Sequence, residues 1–137
     1  MKYKLTTNFI KQNGKKLYQI QSLKNFSDVK VGELGGYIES EKNLAQEGDC
    51  WILDEAKVYG NARISGDARI SGYAIVSGNA RISGDAIVSG YAKVFRNAIV
   101  SGNARISGDA RISGYAIVSG EAKVLGDGNV CGNLLII

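Results

Sequence analysis

From Glu55 to Gly132 the chain reads as thirteen consecutive six-residue blocks with no insertion or deletion, from EAKVYG, NARISG and DARISG to EAKVLG and DGNVCG. The fourth position is always Val or Ile, from Val58 and Ile64 to Val130. The second is Ala in twelve blocks and the sixth is Gly in twelve. A Gly in nearly every block, at a period of six, is incompatible with a helix. Ala-x-Val alternates in–out–in, as a short strand does. The Ser-Gly-Asp/Asn/Tyr that follows is a corner, where Gly supplies a positive φ. Strands this short bury nothing alone. Stacked at about 4.8 Å per coil, they pair every backbone group and build a continuous apolar core. The repeat therefore specifies a solenoid.

The step from Val/Ile to the next Ala is four residues, as in Ile64-Ser65-Gly66-Asp67-Ala68-Arg69. On this spacing residues 35–132 resemble the hexapeptide repeat of the left-handed parallel β-helix superfamily, which includes acyltransferases and γ-type carbonic anhydrases. The segment Leu34-Gly35-Gly36-Tyr37-Ile38-Glu39, followed by Asn43-Leu44 and Asp49-Cys50-Trp51-Ile52, is similar to the YdcK-like branch. The resemblance implies a left-handed helix of triangular section with three blocks, 18 residues, per coil. About five coils, a rod of about 25 Å, are then expected. The expected fold is an all-β solenoid in three parts: a basic hairpin cap (1–34), the β-helix (35–132) and an apolar tail (133–137). Asn13-Gly14 marks the hairpin turn. The tail, Leu134 to Ile137, is expected to fold over the last coil or to pair with another subunit.

The 18-residue coil also sets corner columns. Asn61, Asn79 and Asn97 fall in one, Asp67, Asp85, Asn103 and Glu121 in a second, and Tyr73, Tyr91, Asp109 and Asp127 in a third.

Composition removes several chemistries. The chain has no His, so it has no Ser–His–Asp triad, Cys–His pair, imidazole base or His-bound zinc. It thereby departs from the acyltransferases of the superfamily, which use a His base. Unbroken repeats also leave no insertion loops for an active site. No catalytic residue, metal site or cofactor is expected, and the chain is read as a non-enzyme. Cys50 and Cys131 lie more than four coils apart, too far for a disulfide. With no apolar leader and no membrane-spanning run, a cytoplasmic protein is expected, without membrane contact.

Binding features remain. Phe95-Arg96 replaces the Ser-Gly of its block, placing Arg at a position of positive φ. This is either a relaxed corner or a protruding aromatic–cation pair suited to a contact surface. Tyr73 and Tyr91 are expected to stack on one edge. Ile99 and Ile117 point outward on one face, an apolar pair suited to a partner or a second copy. Residues 1–30 carry a net charge of +6 and residues 31–55 carry −6. The first segment offers Lys2, Lys4, Lys11, Lys15, Lys16 and Lys24 as a basic patch facing solvent or an anionic partner.

These features favour a non-catalytic protein that binds a macromolecular partner, a protein or a nucleoprotein complex, through its rigid surface. A phage- or prophage-encoded inhibitor of a host defence factor, such as a CRISPR effector, is a concrete version suggested by the resemblance. The alternatives are a scaffold or fibre module assembling through solenoid ends, the Ile99/Ile117 face or the tail, and an atypical acyltransferase without His.

Overall fold

A computed structural model describes all 137 residues. Strand β1 (Tyr3–Gln12) and strand β2 (Lys15–Ser22) form an antiparallel hairpin. Its turn residues Asn13 and Gly14 both have positive φ, 50° and 78°, the geometry that matches the twist of paired strands. β2 pairs antiparallel with β3 (Leu34–Ile38), and β3 opens the solenoid.

From there every strand has two residues and the rod has three walls. The first wall continues from β3 through Lys57–Val58, Ile75–Val76, Lys93–Val94, Arg111–Ile112 and Asn129–Val130. The second holds Arg63–Ile64, Arg81–Ile82, Ile99–Val100, Ile117–Val118 and Leu135–Ile136. The third holds Trp51–Ile52, Arg69–Ile70, Ile87–Val88, Arg105–Ile106 and Lys123–Val124. Parallel partners are 18 residues apart, so three blocks make one coil, except that β3 and Leu44 in the first coil pair 20 residues ahead. With six solenoid strands in the first wall and five in each of the others, the rod has between five and six coils.

Backbone bonds run along the rod from coil to coil, as from Lys57 N–H to Ala74 O (2.9 Å) and from Asn61 N–H to Gly78 O (2.8 Å). The Ala and Val/Ile of each block point inward, and from Ala56 to Val118 they are essentially inaccessible to water. Most central corners need their Gly twice over. Gly66 has φ 64°, and a Cβ on it would lie 2.9 Å from the backbone N of Gly84 in the next coil.

The hairpin and the chain after it close the first end of the rod. Trp51 lies beneath them, edge-on to Tyr3 (centroids 6.3 Å apart) and to Phe26 (5.3 Å). Arg69 of the third wall ties residues 27–28 down, donating to Ser27 Oγ at 2.8 Å and pairing with Asp28 at 2.7 Å.

Two expectations change. The apolar tail does not fold over the last coil. Leu135–Ile136 pairs with Ile117–Val118 and extends the second wall, because that strand's free edge still offers backbone partners. Lys2 leaves the basic patch altogether. It is 1% exposed, drawn inward by backbone acceptors around Cys50.

No helix is long and apolar enough to cross a membrane.

Candidate partner-binding surface

Successive side chains on the outside of the first wall are Tyr37, Lys57, Ile75, Lys93, Arg111 and Asn129. The corner columns on either side of this line carry the aromatic residues. On one edge Tyr73 and Tyr91 stack face to face, with centroids 5.1 Å apart and planes 5° from parallel. The Tyr spacing of 18 residues produces this contact directly, since a coil advances about one strand spacing. Each ring is more than half exposed, at 53% and 60%.

On the other edge the column holds Tyr59, Ser77 and Phe95. Phe95 is half-buried, with the Arg96 guanidinium 5.8 Å from its ring centroid. Arg96 has φ 59°. Its carbonyl still accepts from Asn79 N–H at 2.7 Å, so the corner keeps its place in the ladder despite the side chain.

The hairpin leans against this same edge. Ile10 and Leu17 pack on Tyr37, Tyr59 and Ile75, and Asn13 Nδ2 donates to the Tyr59 hydroxyl at 3.0 Å. The result is a groove of about 380 Å³ between the hairpin turn and Phe95, floored by Ile75, Lys93 and Arg111. A second hollow, of about 420 Å³, lies on the Tyr73–Tyr91 side and shares Ile75, Lys93 and Arg111 with the first. The wall is thus one surface with an aromatic rim on each edge. Lys57, Lys93 and Arg111 form no ion pair within the chain, whose two ion pairs are Lys15–Glu39 and Asp28–Arg69.

Phe95, Arg96, Tyr73 and Tyr91 are therefore brought together around one wall. Ile99 and Ile117 are not among them. They sit side by side on the second wall, each 37% exposed, below Arg63 and Arg81 and above Leu135. Of the basic residues, Lys11, Lys15 and Lys16 cluster at the hairpin turn. There Lys11 faces Lys16 across the strands, and Lys16 Nζ lies 4.8 Å from the Phe9 ring centroid. Lys15 reaches Glu39 at 3.3 Å. Burial works against the ionised Glu39, yet the Gly60 N–H and Lys15 together hold its carboxyl below the usual range. Lys4 and Lys24 are exposed away from the turn, so the patch is divided.

Tyr59 was a legible clue, since it is the other aromatic residue standing where most blocks have Ser, 36 residues before Phe95. Two coils separate them, so they share a column. Asn13 carries no such signal, because its position over Tyr59 depends on the hairpin's path.

The largest hollow, about 730 Å³, lies where the chain leaves the second wall after Ala45. It mixes Glu41 and Glu47 with Lys42, Arg63 and Arg81, and neither Phe95-Arg96 nor the Tyr73–Tyr91 pair lines it. No group of three or more Cys, Asp or Glu is close enough to hold a metal ion.

The family model described as the YdcK beta solenoid repeat matches residues 56–72, 62–78, 80–96 and 104–120. Over 50 residues the chain is 50% identical to a protein of Escherichia coli (strain K12) named as an uncharacterized acetyltransferase, YdcK. The match takes in 36% of this chain and 15% of that protein's length. Matched repeats spread over the coils, together with the 18-residue register of the three walls, show a hexapeptide-repeat β-solenoid whose coils are similar to the YdcK repeat.

Proposed function

We propose that the chain is a non-catalytic binding protein whose first wall receives an acidic stretch of a protein partner. One observation carries this reading. The aromatic departures from the repeat and the stacked Tyr pair border the first wall, whose cations Lys57, Lys93 and Arg111 lack ion-pair partners of their own, with Ile75 between the first two and Asp109 on the Tyr edge. Exposed Tyr, Phe and Arg around a rigid floor are the usual anchors of protein contact surfaces. The cations steer an acidic partner and select against basic ones. Rigidity helps, because coils stacked through backbone bonds lose little freedom on binding.

The test is affinity capture with the full chain, the Phe95→Ala/Arg96→Gly pair, Tyr91→Ala and Ile117→Ser. A stoichiometric partner that is released by salt, lost with the first-wall variants and kept by Ile117→Ser supports the reading. A partner held equally by all four proteins overturns it. An inhibitor of a host defence effector is the narrower form of the proposal. It requires that the captured partner be such an effector and that its activity fall when the chain is added.

A second reading rests on the second wall, where Ile99, Ile117 and Leu135 form a continuous apolar strip. Assembly through that strip predicts a molar mass that rises with concentration and falls back to one chain in Ile117→Asp. The acetyltransferase reading is supported by the name of the E. coli relative. In this chain an acyl transfer would need a Glu or Tyr base, since His is absent.

A further inference from the structure

Lysine is almost never fully buried without a charged partner, yet Lys2 is 1% exposed and no carboxylate pairs with it. Its Nζ donates to Gly48 O at 3.2 Å, to Cys50 O at 2.8 Å and to Cys50 Sγ at 3.4 Å. That uses all three donors of an ammonium. The backbone is pinned as well, with Lys2 N–H donating to Gln46 Oε1 at 2.8 Å. Phe26 covers the amine, its ring centroid 5.1 Å from Nζ. Cys50 is fully buried, and its only other polar neighbours are the carbonyls of Ala45, Glu47 and Ile64 at 3.7–3.8 Å. A primary amine and a thiol are thus held against each other in a closed site.

We propose that Lys2 and Cys50 are a covalent modification site, joined under oxidising conditions through a single oxygen atom as Nζ–O–Sγ. The oxidant is dioxygen, small and apolar enough to enter a closed site. The amine reacts in its neutral form after releasing its extra proton. The S–H bond and one N–H bond break, and an N–O and an O–S bond form. One oxygen atom of dioxygen becomes the bridge, and the other leaves as water with the remaining hydrogens. Sulfur and nitrogen each lose two electrons, which reduce the dioxygen. Enclosure favours the bridge over the ordinary course of thiol oxidation, because no second thiol can reach Cys50 and the amine is already in contact. Burial raises the Cys50 thiol and the neighbouring Lys2 offsets only part of that rise, so the group enters the reaction as the S–H form. The bridge ties the hairpin to the first complete coil across 48 residues. It closes a long loop in the unfolded chain and strengthens the cap at this end of the rod.

The experiment compares the full chain held in air-saturated buffer with the same protein kept under nitrogen with a thiol reductant. The Cys131→Ser background removes the exposed thiol, so that any oxidation product comes from Cys50. The expected result is an intact mass higher by one oxygen less two hydrogens. Trypsin should then release a fragment joining residues 1–4 to residues 43–57, and reduction should restore the starting mass. Lys2→Arg and Cys50→Ser should each abolish the linked fragment. The wild-type fragment decides the matter even where a variant folds poorly. Cys50 still free to alkylation after denaturation, or oxidised to a sulfinic acid with residues 1–4 unlinked, overturns the proposal.

Discussion

Arg96 shows how far one corner tolerates a side chain. Its φ of 59° matches the 63–70° of the repeat glycines from Gly60 onward, and a side chain in that region costs about 1 kcal/mol. Arg96→Gly should therefore raise stability by about 1 kcal/mol in urea unfolding while weakening partner capture. A corner retained at such a cost fits a binding role. Gly66 is the opposite case, because a Cβ there meets the backbone of Gly84 as well as the unfavourable φ. Gly66→Ala should lose about 1–3 kcal/mol by the same measurement. Glu39 carries a pH signature. Its folded carboxyl titrates below the ordinary value, so its contribution is present above that ordinary value and is lost as pH falls through the lowered one. Glu39→Gln should be less stable than the native chain at neutral pH, and the difference should vanish in acid.

The two-residue strand is the element that repeats, and its limits are set by the inward Ala. In each coil Ala and Val or Ile fill the triangle between three walls, with Ala86 and Ala104 fully buried. Ala86→Leu should cost about 1–3 kcal/mol through overpacking, and Ile82→Ala about 2–4 kcal/mol through the cavity it leaves. Thermal melting of both variants checks this, and the larger loss should fall on the cavity. The hairpin is held differently. Its edge pairing with β3 is supplemented by Leu17 on Tyr37 and Tyr59 and by Asn13 on the Tyr59 hydroxyl. Tyr59→Phe should keep the packing, free the turn and loosen the groove beside Phe95.

The whole rod is nearly one-dimensional, so its stability is a sum over neighbouring coils with weak points at the ends. One end is closed by the hairpin over Trp51, the only tryptophan. At the other end protection thins out, with Ala122 8%, Val124 7% and Val130 5% exposed while the central Ala and Val positions are at 0%. Hydrogen exchange should therefore be slowest from about the coil of Ala74 to that of Val100 and fastest beyond Ala122. Trp51 fluorescence should report opening of the cap rather than fraying of the far end. Uniform exchange along the chain would mean that the coils open as one unit.

The coils were legible because their information is local. Six residues suffice to set in–out alternation and a corner, and identical neighbours then have one way to stack. Given the 18 residues per coil that the family resemblance implies, the stacking of Tyr73 on Tyr91 and the contact of Ile99 with Ile117 followed by arithmetic. The N-terminal segment follows no repeat, and its seven lysines look alike in sequence. Only the folded chain distinguishes Lys2, buried against Cys50, from Lys11 and Lys16 at the exposed turn. Only the path of the hairpin brings Asn13 onto Tyr59 and completes the groove beside Phe95. Those contacts join residues 46 and more positions apart without a period to relate them. The backbone acceptors and apolar surfaces that select them exist only once the first coil has formed.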